Sequence, residues 1–243
     1  MGVCVGMKNQ YFGDINDYKK YGLLRSIVSA GDMSVLVAWM LTPDDGSSDG
    51  KFIEYLGKPS VWEKYDPSLY RGLVRLMGGA NERNVALIEA SSILNGCSFF
   101  SESVPDAKPG RETWFSSLLN ESINHDLVFL DPDNGLEIKS RPYGRKNSSK
   151  FLYWREVSKL WVSGKSLLMY QHFIREKRDD FIQRMLKSLN DLAEHSSVEA
   201  FSTQRVVFLL ALQPEHHHFR QTIIDKVNVS WRGQIKNWGL RAC

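Results

Sequence analysis

Leu127-Val128-Phe129-Leu130-Asp131-Pro132-Asp133-Asn134-Gly135-Leu136-Glu137-Ile138-Lys139 is the stretch whose reading decides the fold. Four apolar residues without a charge read as a short strand buried on both faces, the habit of an interior strand in a parallel sheet. Asp131 then stands at the carboxyl end of that strand. Pro132 cannot continue the ladder, and Asn134-Gly135 supplies the residues of a tight turn. In open α/β sheets, ligands bind in the crevice outside the carboxyl ends of the strands. The polar side chains from Asp131 to Lys139 therefore gather where such sheets do chemistry. The plainer alternative is an Asx-turn, with Asp131 capping backbone amides and the other charges in solvent.

Outward from this strand, helical and apolar patterns alternate. Asp14 or Asn16 can cap a helix running to about residue 30, with Tyr18, Tyr21, Leu24 and Val28 at helical spacing and Gly31 as stop. Residues 34–41 read as the first interior strand, leading into the aspartate- and glycine-rich turn 42–51. Helices are predicted at about 67–77, 81–94, 111–124, 151–161, 177–195 and 215–227. Strands are predicted at 97–101 and 166–170, and a β-hairpin at 198–202 and 206–212 around Thr203-Gln204. The pattern implies βαβ units in a largely parallel sheet, with one antiparallel strand near its edge. No repeat or long linker divides the 243 residues, so a single α/β domain is expected.

Composition narrows the class. Hydrophobic residues make up 42% and charged residues 24%, ordinary for a globular chain able to bury a full core. A net charge of +3 neither demands nucleic acid nor excludes a local basic groove. Cys4, Cys97 and Cys243 have no metal or redox spacing, and their odd number argues against a disulfide framework. No apolar run approaches membrane-spanning length and no signal-peptide pattern opens the chain, so a cytoplasmic location without a membrane partner is expected.

Four constellations carry possible chemistry. In 10–21, Asp17 and Lys20 lie three apart and can pair on one helix face; the alternative is an N-capped surface helix. The turn after the first strand offers Asp44, Asp45 and Gly46, a cradle whose negative charge suits ligand hydroxyls or a metal better than phosphate. Lys139, Arg141, Tyr143, Arg145, Lys146 and Lys150 form the densest basic cluster with an aromatic, a set able to hold phosphates and stack a base; a solvated loop is the alternative. His172, just beyond the strand at 166–170, can serve as general base or metal ligand, or simply hydrogen-bond at a strand end. His216-His217-His218 points in several directions from a helix and reads as mostly solvated.

Two segments resemble a known family. Gly13-Asp14-Ile15-Asn16-Asp17-Tyr18-Lys19-Lys20-Tyr21 is similar to the G-N-x-A-D-V-L-K-H segment opening the bacterial large-subunit ribosomal RNA adenine-N6 methyltransferases. Residues 128–134 resemble their apolar strand ending in D-P-P-Y. The order of elements, closing hairpin included, resembles the class I S-adenosylmethionine-dependent methyltransferase fold. The resemblance implies a Rossmann-like three-layer α/β sandwich, with Asp131 and Pro132 as the catalytic Asp-Pro and Asp17 and Lys20 lining a cofactor pocket. Asp133 and Asn134 stand where the family has its second Pro and its Tyr. Thr42-Pro43-Asp44-Asp45-Gly46 stands where it has the cofactor turn.

Three functions follow as expectations. The first is methyl transfer from S-adenosylmethionine to a nucleic-acid amine, catalysed mainly by positioning at Asp131, Pro132, Asp133, Asn134 and His172. The second is a Mg2+-dependent nuclease or phosphodiesterase, with Asp131, Asp133 and Glu137 as ligands and Lys139 completing an E-x-K signature. The third is a methyltransferase-like binding module without catalysis.

Overall fold

The computed structural model describes residues 12–42, 52–79 and 83–241. The chain runs α1 (Ile15–Val28), β1 (Val35–Ala38), α2 (Pro59–Trp62), α3 (Pro67–Gly79), α4 (Ala86–Glu89), β2 (Cys97–Phe100), α5 (Lys108–Glu121) and β3 (Leu127–Leu130). It continues with α6 (Trp154–Val162), β4 (Ser166–His172), α7 (Arg178–Leu192), β5 (Ser197–Ser202), β6 (Val206–Leu212), α8 (Arg220–Ser230) and β7 (Lys236–Gly239). Among the described residues, seven strands form one sheet in the order β2-β1-β3-β4-β6-β5-β7. β2, β1, β3 and β4 pair in parallel. β6 runs antiparallel to both β4 and β5, and β7 antiparallel to β5. Five of the seven strands therefore point the same way.

The absence of alternation in the central strands has a direct cause. Val35, Val37, Leu127, Phe129, Leu168 and Tyr170 pack toward α1, α3 and α8. Leu36, Ala38, Val128, Leu130, Leu167 and Met169 pack toward α5, α6 and α7. Every position of β1, β3 and β6 is buried, so every position is apolar. Helices cover both faces in a three-layer, Rossmann-like α/β arrangement. β1, β3 and β4 are parallel neighbours in one sheet, as their sequence pattern implied.

Several expectations shift. β6 is not near the edge but sits between β4 and β5, and the edge is taken by β7, a polar strand the pattern did not announce. Of the helix expected over 81–94, only Ala86–Glu89 forms among the described residues, followed by turns through Ser91. α6 begins at Trp154 rather than 151, because Leu152 bridges to Leu136 and the Glu156 carboxylate reaches back to accept the Tyr153 amide at 3.1 Å.

α1 is the largest surprise. It is buried on nearly all sides, including Asp17, Lys19 and Lys20, where a surface helix was the alternative. Asp14 rather than Asn16 caps it, accepting from the amides of Asn16 and Asp17. Gly22 admits the Trp231 ring so closely that a Cβ would lie 1.9 Å from it. No helix among the described residues is long and apolar enough to cross a membrane.

Candidate functional site

Lys20, in the second turn of α1, reaches the carboxyl end of β3. Its Nζ donates to Asp131 Oδ2 at 2.6 Å, across 111 residues of sequence. The same ammonium lies 2.8 Å from Asp17 Oδ1, one turn earlier on α1. Asp17 also accepts from the Gly13 amide and the Tyr21 hydroxyl, so its rotamer is fixed from two sides. Three rings surround the ammonium: Trp39 at 5.4 Å, Tyr170 at 5.6 Å and Tyr21 at 5.8 Å from their centroids. The expected Asp17–Lys20 pair exists, and it is extended by Asp131 into a buried triad.

Charge in this cluster is uneven. Burial raises the Asp131 carboxyl to about 6, even with Lys20 pulling it down; Asp17 and Asp133 add to the rise. Burial, then Asp17, raises Asp14 to about 6 as well. Burial works against the Lys20 ammonium, but Asp131 and Asp17 outweigh it and hold its pKa above the ordinary value. Burial also keeps the Tyr21 and Tyr170 phenols neutral. One ammonium is thus shared by two buried carboxylates, with a third at the helix cap. Arg83, which donates to the Phe12 carbonyl at 2.6 Å, offsets part of the field at Asp14 and Asp17.

The turn after β3 is tied to the end of β4. Gly135 has φ +86°, and a Cβ there would stand 2.5 Å from Gln171 Oε1. Gln171 accepts from the Leu136 amide at 2.6 Å and donates to the His172 carbonyl at 2.7 Å. His172 Nε2 lies 3.1 Å from the Asp133 carbonyl oxygen. A neutral imidazole makes that contact by donating, which assigns the acceptor role to Nδ1. Desolvation lowers the His172 pKa despite the Asp133 carbonyl and carboxylate, favouring the neutral ring. Lys150 lies 3.5 Å from Asp133, and its carbonyl accepts from the Asn134 amide at 2.8 Å. Asp131, Asp133, Asn134 and His172 are therefore neighbours along one edge, and Pro132 is buried among them.

Two features where β1 ends belong to the same edge. Met40 holds a left-handed backbone (φ 50°), a strained conformation for a large side chain. Thr42 Oγ1 is buried and has no hydrogen-bond partner among the described residues.

Other candidates fare differently. Asp44, Asp45 and Gly46 lie outside the described residues. Glu137 is exposed and its carboxylate accepts from the Trp154 amide at 2.8 Å, capping α6 instead of facing Asp131. Among the described residues no three His, Cys, Asp or Glu side chains gather as a metal ion needs, so the set Asp131, Asp133 and Glu137 is not brought together. In the basic loop, Lys139, Arg141, Arg145 and Lys146 are exposed. Tyr143 is not a free stacking platform: it meets Tyr153 edge-on at 5.0 Å, and the Arg155 guanidinium lies 4.5 Å from its ring centre. His216 is not simply solvated, because its Nδ1 lies 2.8 Å from the buried Ser166 hydroxyl.

Gln171, Trp39 and Tyr170 were not singled out from sequence. Gln171 carried one available signal, a polar residue ending an apolar strand beside His172. Trp39 and Tyr170 looked like ordinary core, and their role as walls around Lys20 needs the fold.

No protein-family model matches the chain, and no curated protein matches it. Among solved structures it is similar to a DUF519 protein from Legionella pneumophila str. Philadelphia 1, at 9% identity and a TM-score of 0.44, covering 95% of this chain and 99% of that one.

Proposed function

We propose that the chain is an S-adenosylmethionine-dependent methyltransferase acting on an amine of a nucleic-acid base. One observation carries the reading: the two segments that resemble the adenine-N6 methyltransferases meet in space through the Lys20–Asp131 contact at 2.6 Å. They meet at the carboxyl edge of the sheet, where α/β proteins bind ligands. The closing hairpin of β5 and β6 agrees with the element order the resemblance implies.

The residues present fit such a cofactor. It carries a sulfonium and an ammonium, and the edge offers buried carboxylates in excess over Lys20 beside the rings of Trp39 and Tyr170. Thr42 Oγ1, a buried polar atom with no partner among the described residues, supplies a hydrogen-bonding group at the end of β1. Asp17, Lys20 and Thr42 are the groups that would hold the cofactor, which supplies an electrophilic methyl group.

This chain's own residues do the rest by placement. Asp131, fixed by Lys20 through Oδ2, accepts an N–H of the target amine, and a backbone carbonyl of the Pro132-Asp133 turn accepts the other. Pro132 and Gly135 hold that turn rigid. The proton the methylated amine must lose leaves along its hydrogen bond to Asp131, whose pKa is raised to about 6, and His172, held neutral by its lowered pKa at the same edge, is the base that would take it onward. Held geometry supplies most of the rate advantage.

Calorimetric titration with S-adenosylmethionine and S-adenosylhomocysteine tests the proposal. The wild type should bind both. Asp17→Asn should weaken binding tenfold or more, while Asp131→Asn should bind the cofactor and transfer no methyl group to an oligonucleotide. No heat and no thermal shift with either compound would overturn the reading and leave a binding module in its place.

A further inference from the structure

A cavity of about 890 Å³ opens where β7, the β5–β6 turn and the start of α7 meet. Its walls include Phe173, Arg178, Thr203, Arg232, Lys236 and Trp238. Strand register fixes where this lies. Asp131 follows Leu130, which pairs with Met169 of β4; His172 pairs with Val206, Val207 with Ser202, and Ser202 with Lys236. The groove is thus on the same carboxyl edge as Asp131, four strand spacings away, or about 19 Å.

Its cations are held in an unusual way. The Arg178 guanidinium lies 5.0 Å from the centre of the Phe173 ring, and Lys236 Nζ lies 3.6 Å from that of Trp238. Among the described residues none of Arg178, Arg232 and Lys236 pairs with a carboxylate, and all three are exposed. The groove's own acid, Asp179, lies 3.8 Å from Arg241. A cation braced by a carboxylate is neutralised, whereas one braced by a ring keeps its charge for a ligand. Arg205, on the turn toward Lys19, repeats the device with its guanidinium 3.9 Å from the Phe52 ring centre. Among the described residues no cation of the basic loop at 139–146 lies against a ring, and the loop's own ring, Tyr143, takes Arg155.

We infer that this groove holds the phosphodiester backbone of a single-stranded nucleic acid whose base is presented at Asp131. The inference rests on the methyltransferase reading for the base and on the groove alone for the backbone. Two ring-braced cations, Arg178 and Lys236, with Arg232 exposed in the same lining, suit phosphates and read no sequence. The distance from groove to Asp131 spans several nucleotides, so the strand enters at β7 and delivers its target toward β3.

Fluorescence anisotropy with fluorescein-labelled single-stranded RNA and DNA of about twelve nucleotides, over a series of salt concentrations, tests it. The variant Arg178→Gln/Arg232→Gln/Lys236→Gln should bind tenfold or more weakly, with a salt slope smaller by about two. A better-bound RNA or DNA arm identifies the strand's source. Arg145→Gln/Lys146→Gln serves as the comparison and should move both quantities less. The inference is overturned if the groove variant keeps the wild-type slope, or if the loop variant reproduces the loss. Circular dichroism verifies that both variants fold, and a single Lys236→Gln change repeats the test with least disturbance. Titrating S-adenosylmethionine into the groove variant separates the two proposals: retained cofactor binding with an unchanged slope overturns the groove alone. A reduced slope without cofactor binding in the wild type overturns only the methyltransferase reading.

Discussion

Two buried ion clusters, one on each face of the sheet, are built to opposite rules. Between α5 and α6, Arg111 meets Glu156 through two bonds of 2.8 Å and gives a third, at 2.9 Å, to the Phe151 carbonyl. Glu156 Oε2 also accepts the Tyr153 amide, and the Trp114 and Tyr153 rings flank the guanidinium. One cation answers one anion, and almost every polar atom has a partner. Between α1 and β3, Lys20 serves Asp17 and Asp131 together, with Asp14 close behind, and burial has raised two of these carboxyls to about 6. The first cluster joins two helices. The second carries an excess of acid at the carboxyl edge of the sheet, which packing alone gives no reason to keep.

The sharpest way to break that contrast is to remove each cation. Arg111→Ala leaves Glu156 buried and uncompensated, orphans the Phe151 carbonyl and empties space beside Trp114. The expected loss is about 3–5 kcal/mol of stability, read as a large drop in urea midpoint. A loss under about 1 kcal/mol would mean the balanced cluster is not what fastens α5 to α6.

Lys20→Met should cost less, although its charge is also buried. Asp131 already titrates near 6, so taking up a proton at pH 7 costs about one pKa unit, or about 1.4 kcal/mol. Adding the lost contact to Asp17, the expected loss is about 2 kcal/mol at pH 7, shrinking as pH falls toward 6 and level below it. Thermal melts at several pH values give the comparison. A loss equal to that of Arg111→Ala, and constant with pH, would erase the distinction.

The contrast also explains which parts of the molecule could be read from sequence. β3 was legible to the residue because burial on both faces leaves no alternative composition for Leu127–Leu130. The hairpin was legible because Thr203-Gln204 separates two apolar runs. α1 was legible as a helix with its Asp14 cap and its Asp17–Lys20 pair, but not as a buried one, because Lys20 meets Asp131 from far along the chain and local periodicity cannot register that contact. β7 was hidden by its composition: Lys236-Asn237-Trp238-Gly239 is polar since it forms the sheet's edge, with none of its residues fully buried. At the site, the positions of Asp131, Asp133 and His172 followed from strand ends, whereas Glu137 was misassigned. A short E-x-K match carries no information about the helix cap that claims its carboxylate.

The smallest expected effect on stability discriminates most finely between the clusters. The Asp131 carboxyl has an ordinary pKa of 3.8 and rises to about 6 in the fold. Between those values the folded chain holds a proton that the unfolded chain has released. Stability contributed by Asp131 is therefore complete below about pH 3.8 and is lost as pH climbs through 6. Asp131→Asn removes this dependence while keeping an acceptor for Lys20. Asp14, Asp17, Asp133, Lys20 and His172 face the position in both proteins, so their own titrations largely cancel in the difference. Measured by urea unfolding from about pH 4 to pH 7, the balance should move toward the variant by about 1–3 kcal/mol, two pKa units at about 1.4 kcal/mol each being the upper bound. At pH 7 the variant should sit within about 1 kcal/mol of the wild type, because losing a buried charge offsets weakening a charged hydrogen bond. Movement toward the wild type instead would make Asp131 a stabilising partner of the kind Glu156 is, and the acid excess at the carboxyl edge would then be structural.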